Sequence, residues 1–265
     1  MKRFLFFVFS ILVILSCGFL CISNPYYTPA IEQKGLIIQK HHDSIIRIAY
    51  IGDSWADGHK NKRCVIDTLI QKAIGKDVLL HTAGISGLTS KNIYYSIFKD
   101  DSVKSVIEWG PDFCFISVGI NDSDRKMGRK YYKENMRLLI DYLLNNQIVP
   151  VILEIPTFDI KSSFKRRDRK IKLMYLISML VTWSKMDCIE DYRKELLELI
   201  DEQHWEKQVV IVKHEDWNVD GYKDSRGLYD AGLMHLNQKG YLVLDTCIAR
   251  KITSYITGSL YSECH

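Results

Sequence analysis

Ile46-Arg47-Ile48-Ala49-Tyr50-Ile51-Gly52-Asp53-Ser54 is the stretch from which the rest of the chain can be read. From Ile48 to Ile51 it is apolar on both faces, the pattern of a central parallel strand covered by helices on each side. The run ends in a Gly-Asp-Ser turn, and ligands in open parallel sheets bind just beyond the carboxyl ends of the strands. Ser54 therefore stands where chemistry is expected. Gly87, in Ile85-Ser86-Gly87-Leu88-Thr89-Ser90, and Asn121, in Gly119-Ile120-Asn121-Asp122, follow apolar runs of their own, Val78 to Leu80 and Phe113 to Val118. His235 comes last, in Met234-His235-Leu236-Asn237.

Val149 to Ile155 and Val209 to Val212 complete five predicted strands. Between them, helical stripes run over Arg63 to Ile74, Asn92 to Phe98, Val103 to Trp109 and Tyr131 to Leu144, with Gly240 to Ile256 as a closing helix. Strands alternating with helices make βαβ units, hence a parallel sheet with helices on both faces. A single such sheet brings Ser54, Gly87 and Asn121 to one rim.

A serine hydroxyl attacks an ester at neutral pH only with a base to take its proton. The oxyanion that results needs hydrogen-bond donors aimed at it. Ser54 as nucleophile, His235 as base, and Gly87 and Asn121 as donor positions supply those parts. The constellation resembles the SGNH hydrolases, the GDSL-type lipases and acylhydrolases, from Ile46 to Ile256. Gly-Asp-Ser alone arises by chance; followed in order by Ile-Ser-Gly-x-Thr-Ser, Gly-x-Asn-Asp and His-Leu-Asn-x-x-Gly-Tyr, it is specific. The resemblance implies a three-layer α/β/α sandwich on a five-stranded, flavodoxin-like parallel sheet. It adds the Ser54 backbone N–H as a third oxyanion donor, and implies an acyl-enzyme at Ser54 with no cofactor.

The pattern departs at the third triad position. The family usually carries an aspartate three residues before the histidine, where this chain has Gly232; the nearest upstream acid is Asp230. Two readings stay open. Asp230 reaches the imidazole through a bulge at Gly232, or a backbone carbonyl orients His235 and the site works as a dyad. Asp224 is a weaker candidate for the same role.

Between the fourth and fifth strands lie about fifty residues, 157–207, where a crossover needs one helix. Leu173 to Trp183 and Cys188 to Ile200 read as two helices. Ahead of them Lys161, Lys165, Arg166, Arg167, Arg169, Lys170 and Lys172 fall within twelve residues. The insert leaves from the catalytic rim, which makes Thr157, Lys165, Arg166 and Arg167 candidate substrate contacts. The cations favour an anionic substrate; a solvated helix face is the plainer alternative. Trp55 is a candidate wall of the acyl pocket, or a core residue.

Lys2 and Arg3 precede an uncharged, mostly apolar stretch of 19 residues, Phe4 to Ile22. At ~1.5 Å per residue it crosses most of a ~30 Å hydrocarbon core, and the basic residues before it favour keeping the N-terminus cytoplasmic. Residues 1–23 are therefore expected to be a signal anchor, with a cleaved signal peptide or a lipoprotein modified at Cys17 as alternatives. Residues 24–44 are expected to be a linker and 45–260 the catalytic domain, exported and facing the periplasm or cell exterior. A net charge of +4 gives no argument for nucleic acid. The seven cysteines lack C-x-x-C spacing, so no metal site is expected. The substrate is expected to be an acylated small molecule or glycan. An O-acetyl esterase or acyltransferase on surface carbohydrate, a lipase or lysophospholipase, and a non-catalytic binding protein on the same scaffold are the competing functions.

Overall fold

The computed structural model describes residues 6–13, 27–60, 64–223 and 226–258. Five strands, β1 (Ile46–Gly52), β2 (Val78–Gly84), β3 (Phe113–Ser117), β4 (Val149–Leu153) and β5 (Val210–Val212), form one sheet in the order β2-β1-β3-β4-β5. Every pairing is parallel. β1 and β3 are the buried strands that two-sided coverage requires: Ile48, Ala49, Tyr50, Ile51, Cys114, Phe115 and Ile116 have no exposed surface. Truncating one such Ile to Ala costs ~2–5 kcal/mol, because the cavity adds to the lost transfer energy.

Residues 6–13 are helical (α1), and the remaining helices cover the sheet. On one side α3 (Ile66–Ile74) packs on α11 (Gln238–Thr257), with α2 (Ser54–Lys60) over β2. On the other, α7 (Arg129–Asn145) packs against α4 (Ser90–Lys99) and α10 (Ile189–Glu202), while α5 (Asp101–Glu108) covers β1 and β2. The result is the expected three-layer α/β sandwich. Local sequence sets the ends. Asp100 caps α5 by accepting the N–H groups of Ser102 and Val103, and the Asn237 side chain accepts the Gly240 N–H to start α11.

Two expectations change. The insert holds three helices rather than two: α8 (Ile160–Arg166), α9 (Arg169–Thr182) and α10. The basic run supplies α8 and the start of α9, where Asp159 and Asp168 act as N-caps. α10 is the true crossover, with Ile189, Tyr192, Leu196 and Leu199 in the core, so the excursion is α8 and α9 alone. Residues 27–44 are also not a free spacer. The N–H groups of Ala30, Ile31 and Gln33 donate to Asn135 Oδ1, Tyr95 Oη and Tyr94 Oη, strapping the segment onto α4 and α7. Finally, among the described residues no helix is long and apolar enough to cross a membrane. Most of the expected anchor, residues 1–5 and 14–23, lies outside those residues.

Candidate active site

The strand order reverses between β1 and β3, and the catalytic loops leave the sheet on either side of that switch point. The N–H of Asp53 donates to Ser117 O at the end of β3 (3.0 Å), which turns the chain so that Ser54 opens α2. Asp53 then clamps both loops. Its Oδ1 accepts the Trp55 N–H (3.0 Å) and its Oδ2 accepts from Asn121 Nδ2 (3.1 Å). Asn121 lies on α6 (Ile120–Asp124), begun by Gly119 at φ 114°, a backbone angle that side chains rarely tolerate. The Ile155 side chain packs where a Cβ on Gly119 would project.

Ser54 Oγ lies 2.8 Å from His235 Nε2, across 181 residues of sequence. His235 sits on a tight return in which the Asp230 N–H donates to His235 O (2.9 Å) and Tyr229 bridges Leu236 in antiparallel fashion. Asn237 pins the return by donating to Gly227 O and Tyr229 O. Gly87 reaches the same rim at φ 81°, and a Cβ there would meet the Arg125 guanidinium at 3.3 Å. The structure thus gathers Ser54, Gly87, Asn121 and His235.

Asp230 is close to His235 in the chain, but no ion pair joins the two side chains. Its Oδ1 instead accepts the Gly232 N–H (2.9 Å), a local turn bond. The expectation that Asp230 orients His235 is corrected accordingly. Asp224 lies outside the described residues.

Two carboxyls beneath the rim carry displaced pKa values. Burial pushes Asp53 up to about 7; the Asp122 charge adds to this, while hydrogen bonds from Trp55 N–H and Asn121 oppose it. Burial likewise pushes Asp122 up to about 6, against the hydroxyl and N–H that Ser90 donates to it. Both acids brace loops. The two hydrogens of Asn121 Nδ2 are already directed at Asp53 Oδ2 and Leu88 O (3.1 Å each).

The remaining predicted contacts divide. Trp55 has no exposed surface and lies edge-on to Trp217 and Tyr241, so it is a core residue and not a pocket wall. Thr157 is occupied as a brace: its hydroxyl sits 3.2 Å from His214 Nε2 and accepts the Tyr222 N–H. Burial takes His214 down to about 3, so that partner is neutral. Lys165 is exposed, and its carbonyl accepts from Lys172 Nζ. Arg166 Nη2 reaches Gly232 O (3.4 Å) and Arg167 pairs with Asp124. With Asp159 N–H donating to Leu233 O (3.3 Å), α8 bridges the Asn121 and His235 loops and forms one wall of the site. Arg125, one turn beyond Asn121, was missed in sequence because its place beside Gly87 depends on how the two loops meet.

One group of metal-type donors stands together among the described residues: His59, Cys64 and Asp245, within 4.8 Å of one another. His59 Nε2 is 2.7 Å from Asp245 Oδ1, and Asp245 Oδ2 accepts the Val65 N–H. Burial pushes the Cys64 thiol far up, so it stays protonated. His59 lies on α2, Cys64 just before α3 and Asp245 on α11.

With a base already against the serine hydroxyl, this rim is suited to acyl transfer from esters, the chemistry of a carboxylic ester hydrolase. Residues 50–243 match the model of the GDSL-like Lipase/Acylhydrolase family, and the chain belongs to that family. It is similar to the lipase/acylhydrolase from Enterococcus faecalis, at 19% identity over 79% of this chain and 96% of that one, TM-score 0.54. Psychrotrophic esterase EstA from Pseudoalteromonas sp. gives 15% identity, 81% and 100% coverage and TM-score 0.55. An acetyl xylan esterase, AlAXEase, gives 18%, 80% and 100%, and 0.52. At these identities the likeness is one of fold. No curated protein matches the chain in sequence.

Proposed function

We propose that this chain cleaves O-acyl, chiefly O-acetyl, esters of exported or surface carbohydrate through an acyl-enzyme at Ser54. The N-terminal segment would hold it at a membrane, facing the periplasm or cell exterior. The observation that carries the reading is the 2.8 Å approach of Ser54 Oγ to His235 Nε2 at the switch point of the sheet. In that geometry Nε2 takes the hydroxyl proton as Oγ attacks the acyl carbon, then returns it to the leaving sugar oxygen; water reverses the sequence. The N–H groups of Ser54 and Gly87 face the developing oxyanion. Asn121 joins them by sharing the amide hydrogen now directed at Leu88 O. Arg125 beside Gly87 and Arg166 beside Gly232 support an anionic substrate. A lipid acylhydrolase is the second reading, favoured by the exposed apolar side chains of α9.

The test combines labelling with a panel of esters. A serine-directed phosphonate should label the wild-type chain and leave Ser54→Ala unlabelled. Acetyl esters of anionic sugars should turn over faster than neutral acetyl esters or long-chain acyl esters. Preferential release of long-chain acid would shift the assignment to the lipid reading, and a chain that neither labels nor turns over any ester would sink both.

A further inference from the structure

Helix α9 is apolar on the side that should be wet. Of its 14 residues only Tyr175 and Ser178 are buried. Ile171, Leu173, Met174, Leu176 and Leu180 are each between 47% and 63% exposed, and Trp183, the C-cap, is 89% exposed. A solvent-facing helix normally carries its polar residues on that side, and a contiguous apolar patch of this kind marks an interaction surface.

The cations are also misplaced for helix stability. Arg169 and Lys170 open α9 and Lys172 follows, three cations against one acid at that end, the N-cap Asp168. This is the end where the helix dipole disfavours positive charge. Cations flanking an exposed apolar helix with a terminal tryptophan are instead the pattern of a helix lying in a bilayer interface, drawn there by anionic headgroups.

The direction of the chain agrees. Tyr27, the first described residue after the apolar N-terminal stretch, places its hydroxyl 2.6 Å from Ser178 Oγ on α9. Ile22 is five residues earlier, and five residues span at most about 18 Å. A bilayer entered by Phe4 to Ile22 would therefore lie beside α9.

We propose that α9 rests in the interface of an anionic bilayer and holds the α8 wall of the active site at the membrane surface. The esters within reach are then those at that surface, lipid-linked or carried on membrane-proximal glycan. For its direction the proposal rests on the anchored N-terminal segment put forward above; it does not depend on which ester is cleaved.

The chain contains five tryptophans: Trp55, Trp205 and Trp217 are buried, Trp109 is stacked on His81, and Trp183 is exposed. None precedes residue 55, so tryptophan fluorescence is blind to the anchor. The full chain is reconstituted into vesicles of phosphatidylcholine and phosphatidylglycerol with plain or dibrominated acyl chains, then isolated by flotation. Wild-type emission should fall by several tenths in brominated vesicles, most with bromines near the headgroup end of the chain. Trp183→Phe should float equally well, keep the wild-type circular dichroism and lose that quenching. A floating wild-type chain with no quenching would overturn the proposal, leaving α9 to water or a protein partner. Equal quenching in both chains would overturn it too, by assigning the contact to another tryptophan. Failure to float would remove the anchor and the proposal together.

Discussion

Asp53 is 1% exposed and directly precedes the nucleophile, and its ionisation should appear in the stability of the whole domain. Burial raises its carboxyl from 3.8 to about 7. A group raised in the folded state contributes stability that is fully present below its unfolded value and is lost as pH rises through the folded one. Between pH 3.8 and about 7 the native state holds a proton that the unfolded chain has released, so stability should fall by about 1.4 kcal/mol per pH unit. Integrated over the window, the loss reaches about 4 kcal/mol, an order-of-magnitude ceiling. Asp53→Asn removes the titration. Its amide oxygen can still accept one hydrogen bond, but its NH2 faces either the Trp55 N–H or Asn121 Nδ2. That mismatch costs ~1–3 kcal/mol at every pH. The informative readout is therefore the slope. Urea unfolding from pH 4.5 to 8.5 should give a variant curve much flatter than wild type, with the two crossing so that the variant gains on the alkaline side. Asp122, raised to about 6 by its own burial, still titrates in the variant, so the flattening measures Asp53's share of the slope. Parallel curves displaced by a constant would refute the reasoning, because Asp53 would then titrate alike folded and unfolded.

Two further substitutions probe the rim. Asp230→Asn should lower kcat by no more than about tenfold, against the ~10⁴-fold typical of removing an orienting carboxylate. Its amide oxygen can still accept the Gly232 N–H, so a loss of several orders of magnitude would place Asp230 on the imidazole during turnover. Asn121→Ala should reduce kcat by about 100-fold with little change in KM, since its donor is needed chiefly in the transition state. Steady-state kinetics on an acetyl ester would show this, and an unchanged kcat would remove Asn121 from the oxyanion site.

How far the sequence reaches depends on how local the governing physics is. β1 and β3 were legible because two-sided burial demands uninterrupted apolar residues, and α7 because its stripe keeps helical period over 17 residues. Ser54, Gly87, Asn121 and His235 were legible because acyl transfer restricts residue type, and strand ends in a parallel sheet converge whatever lies between them. Trp55 was ambiguous for the opposite reason: a large aromatic beside a nucleophile suits a pocket or a core equally, and only packing against Trp217 and Tyr241 decides it. The strap at residues 27–44 lacks periodicity, and its hydrogen bonds run to tyrosine hydroxyls 61 and 64 residues away. Asp230 is the sharpest case. Spacing gave its distance along the chain from His235, but a glycine two residues on offers an N–H the carboxylate binds locally at no cost in reach. The same Gly232 offers its carbonyl to Arg166 from α8. A residue that replaces the family's acid thus ties the catalytic return to the insert. That tie is long-range, so no local reading of the sequence around His235 could have shown it.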